Sequence, residues 1–183
     1  MSKIKVIQPE EAEGRLLEIY TDLIDKRGKL AEVHKIQSLH PESIVKHIDL
    51  YLEIMFAKSE LSRAEREMMA VVVSAANRCE YCQTHHAEAL NNYWKDIDKV
   101  NNLRSSFFGV DLTQRERALC QYAKRLTLFP ADDFGLVEKL KTIGLTDSAI
   151  LDATLVIAYF NFVNRIVLGL GVNLEENAGG YNY

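Results

Sequence analysis

The chain has 183 residues and a mass of 20.8 kDa, long enough to bury a core without disulfide or metal staples. Its 48% hydrophobic and 26% charged content is that of an ordinary globular protein. The 22 basic and 26 acidic side chains are mixed in sign and sum to −4 with no basic stripe, which excludes nucleic acid and anionic membrane as expected partners.

Three prolines, nine glycines and no sustained period-two alternation predict an all-α chain, folded as one domain over residues 1–183. The first predicted helix covers residues 9 to about 25, with Ala12, Leu16, Ile19 and Leu23 on one stripe and Gly28 ending it. Residues 29–39 are open between a short helix and a loop. His40-Pro41 starts the next helix, which runs to about residue 58 and stacks Ile44, Ile48, Tyr51 and Met55, with Leu52 and Phe56 broadening the stripe. Ser62-Arg63-Ala64-Glu65 is a capping box. The helix it opens, through Met68, Met69, Val71, Val72 and Val73, is apolar nearly all round and therefore predicted to be buried.

Asn77-Arg78 breaks that helix, and a new one starts at or near Cys79, passes His86 and ends about Tyr93, with a short helix at about 97–103. Thr113 to Glu116 is a second capping box, and its helix carries Ala118, Leu119, Tyr122, Ala123 and Leu126 before Phe129-Pro130. Asp132-Asp133 is the expected cap of a short helix ending at Gly144. Thr146-Asp147 opens the longest helix, residues 150 to about 168, stopped by Gly169 and Gly171. The tail, residues 173–183, is polar and either loose or docked on a neighbour. A pair recurs as Leu61-Ser62, Leu112-Thr113 and Leu145-Thr146, which we read as three independent caps in preference to a repeat.

Chemistry concentrates between Glu67 and His86. If residues 79–90 are helical, Cys79, Cys82 and His86 share one face at i, i+3, i+7 spacing. The second cysteine, a histidine and a helix N-terminus each favour a thiolate, so the pair is a candidate redox site centred on Cys82. A Cys82 thiolate attacking a peroxide O–O bond would become a sulfenic acid that Cys79 resolves as a disulfide, to be regenerated by thiols from elsewhere. Glu67 joins only if the chain turns, because straight helix would hold it roughly 18 Å from Cys79. A metal site is the competing reading, with Cys79, Cys82, His85 or His86, and Glu67 as ligands, but no second CxxC or HxxxH supplies the usual separated pair.

Cys120 lies in an apolar stripe and reads as a buried hydrophobe; His34, His40 and His47 have no partner pattern and are expected at the surface or at caps. Asn161, Asn164 and Arg165 sit inside an otherwise apolar helix and need partners, in a pocket, at a subunit interface or in solvent. They also interrupt residues 155–172, the nearest approach to a span of about 18 apolar residues, so no membrane segment is expected. The first ten residues lack a signal-peptide core, and three cysteines without one point to a reducing compartment, the cytoplasm by default.

At Glu67, Cys79, Cys82 and His86 the chain resembles the alkylhydroperoxidase D (AhpD) and carboxymuconolactone decarboxylase superfamily, whose pattern is a Glu, eleven residues, then Cys-x-x-Cys-x-x-x-His. The similarity is strong over about residues 61–90 and looser around Asn161 to Arg165, where it is nearest the uncharacterised peroxidase-related branch. The resemblance implies an AhpD-like all-α fold and a thiol-dependent peroxidase without cofactor or metal. Cys82 would form the sulfenic acid, Cys79 would donate a proton and resolve it, and His86 would assist deprotonation under the influence of Glu67. It also implies a homo-oligomer, trimer or hexamer, and a thiol reductant with a lipoyl group on a partner protein as candidate. One departure is Tyr81, which stands where well-studied alkylhydroperoxidases have a histidine; His85 is an addition that can compensate. Two alternatives are a decarboxylase-like lyase acting on a lactone, which has no need of a redox CxxC, and a helical oligomer whose cysteines bind metal or sense redox state.

Overall fold

The computed structural model describes residues 2–132, 135–175 and 180. Its helices are α1 (Gly14–Arg27), α2 (Glu32–Lys35), α3 (Pro41–Phe56), α4 (Arg63–Ala76), α5 (Glu80–Trp94), α6 (Ile97–Ser105), α7 (Gln114–Leu128), α8 (Leu136–Thr142) and α9 (Asp147–Leu170). Among the described residues there is no strand, and the fold is all-α.

Helix α4 is the axis of the molecule. Met68 to Val73 are at most 3% exposed, and α5, α7 and α9 pack around them. A smaller core joins Leu16, Ile19, Tyr20 and Leu23 of α1 to Ile44 and Ile48 of α3. The start of α4 is anchored twice. Ser62 accepts from the Glu65 amide while Glu65 accepts from the Ser62 amide, and Arg63 and Arg66 donate to the last carbonyls of α3, at Met55, Ile54 and Ala57. These contacts bring the buried Arg66 guanidinium, the partly buried Arg63 guanidinium and the buried carboxylate of Glu67 together on one helix.

Several expectations change. Pro9–Glu11 is a separate 3-10 turn, because Ala12 and Glu13 are extended and α1 begins only at Gly14, whose φ of +50° suits glycine. The ambiguous segment 29–39 contains the single turn α2. Leu52 and Phe56 do not deepen the core: they are 43% and 42% exposed, and the Arg63 guanidinium covers the Phe56 ring at 3.5 Å. Gly135, with φ +64°, precedes α8 in place of the expected aspartate cap; Asp133 lies outside the described residues. Helix α9 runs through Gly169 to a left-handed Gly171. By length and composition α9 is apolar enough to cross a bilayer, with mean hydropathy 1.6, yet ten of its residues are buried against the helices around it. His34 and His47, expected at the surface or at caps, are buried. A histidine in an irregular or amphipathic stretch carries no periodic mark of burial.

Candidate active site

The turn between α4 and α5 makes the site. Arg78 takes the left-handed conformation (φ 57°) usual for glycine after a helix, and the Cys79 amide donates back to Ser74 O at 2.8 Å. Helix α5 therefore returns antiparallel along α4, with Cys79 as its N-cap. Helix α9 clamps the turn: Asn77 Nδ2 donates to Asn161 Oδ1 and to Asn164 Oδ1, both at 3.0 Å, and Asn164 Nδ2 donates to Ser74 Oγ at 3.2 Å. The polar residues of α9 thus find their partners in this clamp. Asn164 is fully buried in it, Asn161 is partly buried, and Arg165 is exposed with its guanidinium on Asn161.

The reversal brings Glu67 beside His86. Glu67 has no solvent exposure, and its two oxygens are divided between partners: Oε2 meets His86 Nδ1 at 2.6 Å, while Oε1 accepts from Arg63 Nη2 at 2.6 Å and Nε at 3.0 Å. Burial alone would push the carboxyl up, but His86 and Arg63 outweigh it and hold it below its ordinary value. The carboxylate places the His86 proton on Nδ1 and leaves Nε2 as the basic nitrogen, one helical turn from Cys82. Arg63 did not figure among the expected site residues. Its position at i−4 from Glu67 was the available signal.

The two thiols lie near each other and differ in character. Cys79 is drawn below the ordinary thiol value by a hydrogen bond from the Cys82 thiol, against burial, with help from the Cys82 backbone amide at the helix N-terminus. Cys82 is pushed well up, by its bond to Cys79 and by burial, while a hydrogen bond from Asn164 acts the other way. Cys82, however, lines a cavity of about 360 Å³ that also meets His86, Glu67 and Arg63, and Cys79 does not. Both are free thiols, as is buried Cys120. Among the described residues no three His, Cys, Asp or Glu side chains converge to hold a metal ion.

A second carboxylate comes from the tail. Glu175 accepts from Tyr81 OH at 2.7 Å, from His85 Nε2 at 2.9 Å and from the Glu32 amide at 2.8 Å. Burial pushes its carboxyl up, and these donors, His85 foremost, bring it down to about 2. Tyr81 and His85 are therefore tied to the C-terminal segment at the cavity wall. No local pattern in the sequence marks Glu175.

Residues 44–124 match the model of the Carboxymuconolactone decarboxylase family. No curated protein matches the chain. The chain is similar to an uncharacterized peroxidase-related protein of Silicibacter sp. TM1040, with 26% identity and a TM-score of 0.82 over 96% of each chain. It is also similar to the alkylhydroperoxidase AhpD core of a peroxidase-related protein from Ralstonia eutropha JMP134, with 23% identity and a TM-score of 0.85 over 96% of this chain and 93% of that one. The debrominase Bmp8 shares the fold at 19% identity and a TM-score of 0.78, over 95% of this chain and 92% of the other. A cysteine-to-alanine variant of that enzyme has been solved in complex with 2,3,4-tribromopyrrole.

Proposed function

We propose that the chain is a member of the AhpD and carboxymuconolactone decarboxylase superfamily and a thiol-dependent peroxidase, with Cys82, Cys79, His86 and Glu67 as its working residues. The observation that carries the reading is Cys82 in the cavity wall, one turn from an imidazole whose far nitrogen is held by a buried carboxylate. His86 takes the Cys82 proton, and the thiolate attacks the terminal oxygen of a hydroperoxide. An S–O bond forms, the O–O bond breaks, and the leaving alkoxide recovers the proton from His86 as an alcohol. Cys79 then attacks the sulfenic sulfur, its own proton leaving with the hydroxyl as water, and a disulfide closes the two-electron step. Cys79 lies beside Cys82 but outside the cavity wall, which suits the role of resolving thiol.

A thiol reductant must restore the pair, with a dihydrolipoyl group on a partner protein as the first candidate, and a cytoplasmic setting keeps both thiols reduced. Exposed Leu151, Leu155 and Phe162 on the outer side of α9 favour self-association into a trimer or hexamer. The test is thiol counting after a stoichiometric hydroperoxide dose. The wild type loses two thiols, Cys82→Ser loses none, and Cys79→Ser accumulates a sulfenic acid that dimedone traps. Full thiol loss or turnover in Cys82→Ser overturns the assignment.

A further inference from the structure

The cavity holds a buried polar group that the proposed chemistry leaves unused. His34 of α2 is 5% exposed and lines the same cavity as Cys82. No described residue hydrogen-bonds its ring, which meets His47 edge to face with centroids 5.5 Å apart. Burial, with the neighbouring His47 and Arg27, holds its pKa well below the ordinary histidine value, so the ring is neutral, with one N–H donor and one acceptor nitrogen.

His47 in the same wall is the useful contrast. Gln37 Nε2 donates to His47 Nδ1 at 2.7 Å and to Val33 O at 2.8 Å, which fixes the amide and leaves His47 Nε2–H to donate to Tyr159 OH at 2.7 Å. His47 is satisfied by the protein; His34 is not. The ring nitrogens of His34 are not among the fully buried polar atoms left unpaired, so they face the cavity, where a bound molecule can pair with them in place of water. The space of about 360 Å³ would hold about a dozen waters or one organic molecule, and Tyr51, Tyr159, Phe160 and Val163 give it aromatic and aliphatic walls.

We infer that the cavity takes an organic hydroperoxide with a planar, unsaturated or aromatic body, and that His34 hydrogen-bonds a hydroxyl or carbonyl oxygen on that body while Cys82 meets the peroxide. The assignment deepens the peroxidase reading and rests on it for the reacting group. The test uses product-like alcohols and no peroxide: benzyl alcohol and its three ring-hydroxylated isomers, titrated calorimetrically into the reduced full-length protein. At least one isomer binds about fivefold more tightly than benzyl alcohol, as one hydrogen bond to a buried neutral group implies. His34→Phe abolishes that preference while still binding benzyl alcohol, and His34→Gln, which keeps a donor and an acceptor, retains part of it. Thermal unfolding shows that each variant is folded. In the wild type the ring 15N resonances of His34 shift on adding the preferred isomer, so the outcome stands even if His34→Phe fails to fold. Equal binding of all four alcohols, a preference that survives in folded His34→Phe, or unmoved His34 resonances overturns the inference and means that water alone fills the space. Isomer-selective binding without turnover of any hydroperoxide would sink the peroxidase reading and leave His34 as a ligand contact.

Discussion

Replacing Glu67 by glutamine tests the proposed relay most directly. The substitution removes one negative charge from a side chain with no solvent exposure that holds Arg63 at 2.6 and 3.0 Å and His86 at 2.6 Å. Breaking a buried pair by removing one partner costs about 3–5 kcal/mol. Arg63 keeps Met55 O and Tyr51 OH as acceptors, which argues for the lower end, about 3 kcal/mol. In a chain of this size that lowers Tm by roughly 6–12 °C, and a native stability of about 5–15 kcal/mol leaves the variant folded. The folded carboxyl is depressed from its ordinary 4.5, so its contribution is present above that pH and is lost as pH falls through the folded value. The gap in Tm between the two proteins is therefore full at pH 7 and shrinks below about pH 4.5. Catalytically, a glutamine amide offers His86 Nδ1 either a carbonyl or an N–H, and the imidazole loses its defined tautomer. The thiol-loss rate on hydroperoxide addition falls by about 10²–10⁴. Circular dichroism melts across pH and a stopped-flow thiol assay read the two effects. Equal thiol-loss rates would refute the relay, and an unchanged Tm at neutral pH would refute the ion-pair energetics.

Asn164→Ala removes hydrogen bonds to Asn77 and Ser74 and the influence of the Asn164 amide that lowers the Cys82 thiol; it costs about 2–3 kcal/mol by denaturant unfolding. In a Cys79→Ser background it moves the pH midpoint of Cys82 alkylation upward, because the lost influence favours the thiolate; an unmoved midpoint counts against a direct contact. Glu175→Gln moves the same midpoint downward, since the Glu175 charge is one of the influences that raise the Cys82 thiol. The depressed Glu175 carboxyl contributes stability present above the usual carboxylate range and lost as pH falls toward about 2, so wild type and variant converge in Tm on acidification.

Much of the fold was legible locally. Ser62-Glu65 and Thr113-Glu116 form the capping boxes expected of them, Thr146 caps α9, and the apolar run from Met68 to Val73 is the buried axis, because capping and periodic burial act within a few residues. The break at Asn77-Arg78 was legible as well, and with it the condition that Glu67 reach the cysteines only through a turn. Helix ends set by backbone conformation were harder to see, as at Gly14 and Gly135, because no side-chain cap announces them.

By itself the sequence determines an all-helical chain, and its spacing sets Cys82 and His86 one turn apart on one helix; Cys79 caps that helix from an extended conformation and so does not share its face as a helical residue 79 would. The tertiary structure alone decides which sulfur meets the cavity, that Arg63 shares the Glu67 carboxylate, that Asn164 braces the turn, and that Glu175 reaches Tyr81 and His85 from the tail. The physical reason is distance along the chain. The bonds from Asn77 to Asn164 and from Tyr81 to Glu175 join residues 87 and 94 positions apart, and no periodicity connects such residues before the helices pack.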